Sequence, residues 1–218
     1  MADPRQEHWD RVFSTKPDNM VSWYQRMPET SLRLIRACRL PLDARIVDIG
    51  AGASRLPDAF LPEGFSNITV LDISPVALTK IRERLGGKAA SLCFVAVDVT
   101  KWQSTDGFDL WHDRAVLHFL TEDADCVAYA NVLRRVVRPG GFVLIAGFAP
   151  TGPEQCSGLP VCRADQHLIA GLLGPDFELL DAFERNHQAP SGGLQRFVFT
   201  RFRRRSFGLT ITAKAQPG

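Results

Sequence analysis

Three aspartates stand at or near the ends of three successive apolar runs: Asp48 within Arg45 to Ile49, Asp72 within Asn67 to Ile73, and Asp98 after Leu92 to Val97. Just past Asp48 comes Gly50-Ala51-Gly52. Glycine permits a sharp turn there and lets a ligand reach bare backbone. Asp72 lies 24 residues beyond Asp48, a place from which an acid accepts hydrogen bonds from ribose hydroxyls. Asp98 can take an exocyclic adenine amine as donor. A dinucleotide fingerprint needs a third glycine where Arg55 stands, so that pattern is broken. Asp48 would also repel a pyrophosphate. S-adenosylmethionine (SAM) has no phosphate, and its ammonium and sulfonium both tolerate a nearby carboxylate. The three acids therefore point to an adenosine that carries a cationic group.

The densest polar cluster is His112-Asp113-Arg114, directly after the apolar run Phe108 to Trp111. Methyl transfer from a sulfonium asks for an acceptor held in line, and for a base only if the acceptor is protonated. His112, Asp113 and His118 are the candidate bases, His112 first among them. Asp113-Arg114 also reads as an ion pair, and His118 as a packed side chain. Tyr24, Arg114, Cys156 and Arg163 are candidates for contact with the acceptor, and His187 is a second possible pocket residue. Cys156 and Cys162 could hold a soft metalloid, but they lack the spacing of a structural zinc site. A loop of free thiols is the plainer reading, and no metal site is expected. Trp9, Trp23 and Tyr24 either pin the N-terminal segment to the core or form a lid near the methionine end.

Residue types at these positions need strands that end on one edge. The patterning predicts strands over 45–49, 67–73, 92–97, 108–111 and 142–148, with two more over 177–183 and 195–203. Helices are predicted over 7–13, 30–40, 56–61, 75–85, 123–137 and 164–173, with Ser74 as a cap and Pro75 in a first turn. Strands alternating with helices predict a parallel sheet, with ligands at the carboxyl ends of the strands. Residues 186–193 read as a Gly-rich link.

The chain has 218 residues, 26 Lys and Arg against 24 Asp and Glu, and a net charge of +2. That balance argues against a dedicated nucleic-acid binder. The paired run Arg203-Arg204-Arg205, with Arg201, reads as a solvated edge. No stretch approaches the ~20 apolar residues that cross a bilayer, and no signal core opens the chain. Five scattered cysteines fit reduced thiols in a cytoplasm.

The run Asp48-Ile49-Gly50-Ala51-Gly52 resembles the first motif of class I SAM-dependent methyltransferases. Arg138-Pro139-Gly140-Gly141, between a helix and an apolar strand, resembles a later turn of that family. The likeness spans Ala44 to Phe202. The opening HWDRVF…SWYQ is similar to small bacterial methyltransferases, and to lysine methyltransferases acting on elongation factor or citrate synthase. WHDRAVLHFL and GPEQCSGLPV are similar to a bacterial branch of the family.

The resemblance implies an α/β, Rossmann-like, doubly wound seven-stranded sheet, mostly parallel with an antiparallel last strand and helices on both faces. It implies SAM as cofactor and S-adenosylhomocysteine as product. Asp48, Gly50 and Gly52 would hold the methionine end, with Trp23 closing over it. Asp72 and Ile73 would meet the ribose, Asp98 and Val99 the adenine, and His112 would lie near the methyl group. The expected organisation is an N-terminal helical lid (1–43), a SAM-binding domain (44–205) and a flexible tail (206–218). The expected acceptor is a small molecule. A protein lysine stays open, as does a SAM- or nucleotide-binding protein that transfers nothing. Neither nucleic acid nor membrane is an expected partner, and the chain is expected to be a monomer or weak dimer.

Overall fold

The computed structural model describes residues 3–206. The expected tail therefore lies outside the described residues from position 207 onward. Seven strands form one sheet: β1 (Arg45–Ile49), β2 (Asn67–Asp72), β3 (Leu92–Ala96), β4 (Phe108–Arg114), β5 (Val137–Phe148), β8 (Phe177–Gln188) and β9 (Leu194–Arg204). A separate two-stranded hairpin, β6 (Gln155–Cys156) with β7 (Leu159–Pro160), follows β5. The order in the main sheet is β3-β2-β1-β4-β5-β9-β8. The first five strands pair in parallel, and β9 is antiparallel to both neighbours. Chain order reverses between β1 and β4, and such a switch opens a crevice at the strand ends.

Alternation along β1 sorts its side chains to two faces. Ile46 joins a core with Val70, Leu110 and Leu144 of the sheet and Phe60, Leu78 and Ile81 of α3 (Leu56–Glu63) and α4 (Pro75–Leu85). Leu32 and Ile35 of α2 (Glu29–Arg36) complete that face. Val47 joins the other core, with Trp111, Val143 and the inner faces of α5 (Asp123–Val136) and α6 (Gln166–Leu173). The sheet is thus covered on both sides, which is why β1 reads as nearly continuous apolar sequence.

Local chemistry sets the helix starts. Asp3 caps α1 (Pro4–Thr15) by accepting from Arg5 N, Ser74 caps α4 by accepting from Ala77 N, and Asp165 caps α6. Each cap satisfies amides that the helix itself leaves free. Several boundaries differ from the sequence-based expectation; β5, for one, begins at Val137 rather than Phe142 and takes in the expected turn at 138–141. Helix α2 stops at Arg36 rather than Leu40, where Arg39 turns left-handed (φ 50°) ahead of Pro41. Strand β4 continues through Arg114, because His112, Asp113 and Arg114 stay paired with Leu144, Ile145 and Ala146. Strand β8 runs on to Gln188, so Asn186 and His187 lie in the hairpin ladder with β9 rather than in a link.

Candidate active site

The turn after β1 is held from the neighbouring strand. Ala51 N donates to Leu71 O at 2.9 Å, and Gly52 N donates to Asp72 Oδ2 at 2.7 Å. Asp72 Oδ1 accepts from Ser74 N at 2.8 Å. One carboxylate therefore fixes both the glycine turn and the start of α4. Burial is the main reason its pKa is raised to about 6 from 3.8, against two backbone donors that pull it down. Gly50 and Gly52 have φ of 58° and 53°, a region that other residues enter at a cost. A Cβ on Gly50 would overlap the side chain of Val116, so backbone alone faces the crevice there.

Asp48 and His112 are register partners on β1 and β4. Asp48 Oδ1 lies 2.7 Å from His112 Nδ1, and His112 Nε2 lies 2.9 Å from the Ser31 hydroxyl of α2. A carboxylate can only accept, so Nδ1 carries hydrogen, and Nε2 is paired with the Ser31 hydroxyl. Both ring nitrogens are engaged. His112 thus holds Asp48 in place while lining the cleft, and as it stands neither ring nitrogen is open to an acceptor. The other Asp48 oxygen, Oδ2, is buried with no partner among the described residues. A buried acceptor left unpaired costs of the order of 1–3 kcal/mol. A cationic donor such as an amino-acid ammonium would satisfy it, so this chemistry fits the methionine end of SAM.

Asp113 departs from expectation. It is fully buried and faces away from the crevice. Its oxygens accept from Val116 N (2.8 Å), Leu117 N (3.1 Å) and the Tyr129 hydroxyl (2.6 Å), and that hydroxyl accepts from Trp111 Nε1 at 3.0 Å. Asp113 thus ties down the turn after β4 and makes no ion pair with Arg114. Within that turn Ala115 holds φ 79°, an uncommon state for a non-glycine residue.

The N-terminal segment forms one wall of the crevice. Trp9 of α1 packs edge-on against Trp23 and Phe119, at centroid distances of 5.8 and 4.9 Å. Arg114 Nη1 donates to Trp23 O at 2.8 Å, and His187 Nε2 donates to Ser22 O at 2.8 Å. Arg5 of α1 reaches Asp98 Oδ2 at 2.8 Å and Asp125 at 3.1 Å, while Asp98 Oδ1 accepts from Thr100 N and its hydroxyl. The space enclosed is a cleft of about 1350 Å³, counted out to its open mouth.

Asp48, Gly50, Gly52, Asp72, Ile73, Asp98 and Val99 all line this single cleft, and so do His112, Arg114, Trp23 and Tyr24. Four expected candidates do not, and neither do His187 and Cys162. Cys156 is buried outside it, 3.7 Å from the Ser22 hydroxyl. Arg163 pairs on the surface with Glu154 at 3.0 Å. His118 packs against Phe119 and Phe148, and burial pushes its pKa down to about 3, too low for a useful base. Asp113 is the fourth. The basic run also finds partners: Arg201 pairs with Asp181, and Arg204 donates to the carbonyls of Arg134 and Val137. Sequence reasoning missed Arg5, Phe13 and Phe119 of the lining and the Ser31 partner of His112. Arg5, Phe13 and Ser31 lie in the N-terminal segment, where periodicity shows a helix but not which strand end it reaches.

Residues 47–143 match the family described as methyltransferase domain. The chain is 31% identical over 156 residues to EEF1A lysine methyltransferase 2 of Mus musculus, covering 64% of this chain and 63% of that protein. It is 27% identical to thiocyanate methyltransferase 1 of Arabidopsis thaliana, over 84% of this chain and 78% of that one. Across the eEF1A methyltransferases of mouse that it matches, the chain spans from 20% to 63% of their length. The structure of the N-methyltransferase NodS from Bradyrhizobium japonicum, in complex with S-adenosyl-L-homocysteine, superposes with a TM-score of 0.68. It does so at 16% identity, over 94% of this chain and 100% of that one. No helix among the described residues is long and apolar enough to cross a membrane.

Proposed function

We propose, from the match of residues 47–143 to the methyltransferase-domain family and the fold shared with NodS, that the protein transfers a methyl group from SAM to a small-molecule acceptor. The observation that carries the reading is the unpartnered, buried Asp48 Oδ2 in the same cleft as Asp72 and Asp98. When bound, SAM supplies a methyl group on a sulfonium, whose C–S bond breaks with its electron pair going to sulfur. The residues of the chain bind and orient. Asp48 receives the ammonium, and Gly50 and Gly52 offer bare backbone to the methionine end. Asp72, steadied by Gly52 N and Ser74 N, faces the ribose. Asp98 and Val99 flank the adenine, with Arg5 sharing the Asp98 carboxylate. His112 is a positioning residue that fixes which Asp48 oxygen stays free. Orientation of this kind supplies several kcal/mol, roughly 7 or more in ideal cases.

The N-terminal segment favours a small acceptor. Trp23 and Tyr24 lie over the cleft, and Arg114 and His187 fasten the Ser22–Trp23 backbone from below. A protein lysine is the second reading, supported by the likeness to an eEF1A lysine methyltransferase. Cell extract incubated with the protein and methyl-labelled SAM, then separated into protein and small-molecule fractions, tests this. Label in the small-molecule fraction is the expected result. Label confined to protein supports the lysine reading, and label in neither supports a SAM-binding protein that transfers nothing.

A further inference from the structure

Arg114 is a cation with no direct ion pair, although the Asp48 carboxylate is near enough to act on its charge. Among the described residues no carboxylate lies within ion-pair distance of it. Its Nη1 is spent on Trp23 O. Its Nε and Nη2, the two parallel donors of one guanidinium edge, are sealed from solvent and have no hydrogen-bond partner. The residue as a whole is only half-buried and lines the cleft. That buried edge meets a ligand only when the protein atoms covering it move. The charge sits in an apolar setting, with the guanidinium carbon 5.0 Å from the centre of the Phe197 ring. Desolvation brings its pKa down to about 10 from 12.5, far above neutrality, so it stays charged.

A buried charge left unpaired is costly, and a fork of two parallel N–H groups matches the geometry of a carboxylate. The side chain leaves the end of β4 toward β9, where Phe197 stands. The adenosine cradle of Gly50, Asp72 and Asp98 lies on the opposite side, on β1 to β3. Fixed backbone holds the arrangement: Arg114 pairs with Ala146 on β5, and the left-handed Ala115 donates to Ala146 O at 2.8 Å. We propose that Arg114 anchors an anionic group, a carboxylate or an anion of like shape, carried by the methyl acceptor, and so selects acids over their neutral analogues. The inference rests on the methyltransferase reading of the same cleft. Trp23, Tyr24 and Phe119 line the same cleft as Arg114, which makes an aromatic acid a suitable probe.

The test uses the full chain saturated with S-adenosylhomocysteine, with benzoate and benzamide as a matched pair, read by tryptophan fluorescence and calorimetry. Benzoate should bind at least ~10-fold tighter than benzamide, the loss expected when a buried charge pair is removed. The Arg114→Gln variant should bring the two ligands to about equal affinity, and Arg114→Lys should keep the preference for the acid in weakened form. The ratio is internal to each variant, so a general loss of affinity does not imitate it. A second arm compares S-adenosylhomocysteine with 5′-methylthioadenosine, which lacks the amino-acid group. If Arg114→Gln weakens only the former, Arg114 holds the carboxylate of the cofactor and the inference is overturned. Equal binding of benzoate and benzamide to the wild type overturns it as well, while leaving the methyltransferase reading intact. Failure of S-adenosylhomocysteine itself to bind would instead overturn that underlying reading.

Discussion

Asp48 carries the argument at the scale of single residues. One oxygen is claimed by His112 and the other has no partner, so the side chain is both oriented and unsatisfied. Asp48→Asn should weaken SAM binding by roughly 10- to 100-fold, the worth of a charge-assisted hydrogen bond, while adenosine should bind as before. Calorimetry with both ligands checks this, and an equal loss for adenosine would assign Asp48 to the fold instead. Asp72 gives a pH dependence. Its folded pKa is raised to about 6 from 3.8, so the stability it contributes is full below about pH 4 and is lost as pH rises through about 6. Asp113, also raised to about 6 by burial, acts in the same direction. Ribose hydroxyls favour the ionised carboxylate. SAM affinity should therefore rise by up to ~10-fold between about pH 5 and 7, with proton release on binding. Titration in buffers of different ionisation enthalpy measures that release, and a flat profile would remove Asp72 from the ribose site.

Elements decide which of these residues can meet. The acids at the ends of β1 and β2 and after β3 were legible in the sequence, because an apolar run, an acid and a Gly-rich turn repeat a local rule. Their shared edge then follows from parallel pairing. The roles of His112 and Asp113 were not legible. The sequence places both after a short strand, whereas pairing with β5 carries β4 three residues further and alternation sends the two side chains to opposite faces. His112 meets Asp48 and Ser31, and Asp113 meets Tyr129 and the next turn. Ser31 and Tyr129 come from helices whose docking no local pattern reveals. The Trp111–Tyr129–Asp113 chain should be structural: Tyr129→Phe should cost about 1–3 kcal/mol by leaving buried groups unpaired, seen as a lower midpoint in urea. A stability unchanged within error would show that the turn holds without it.

For the whole molecule, two layers of helices leave one open rim on the sheet, and the N-terminal segment folds over it. Arg5 of α1 grips Asp98, Trp9 meets Trp23 and Phe119, and Arg114 fastens Trp23 from the β4 side. The segment thus spans both ends of the cleft, from the acid after β3 to the turn after β4. The central claim is that this cleft binds an adenosine bearing a cation and has no place for a pyrophosphate. Calorimetric titration of the full chain with SAM, S-adenosylhomocysteine and NAD tests it most directly. The account predicts micromolar, one-to-one binding of SAM and S-adenosylhomocysteine and no detectable binding of NAD. Micromolar binding of NAD in the absence of any SAM binding would contradict it.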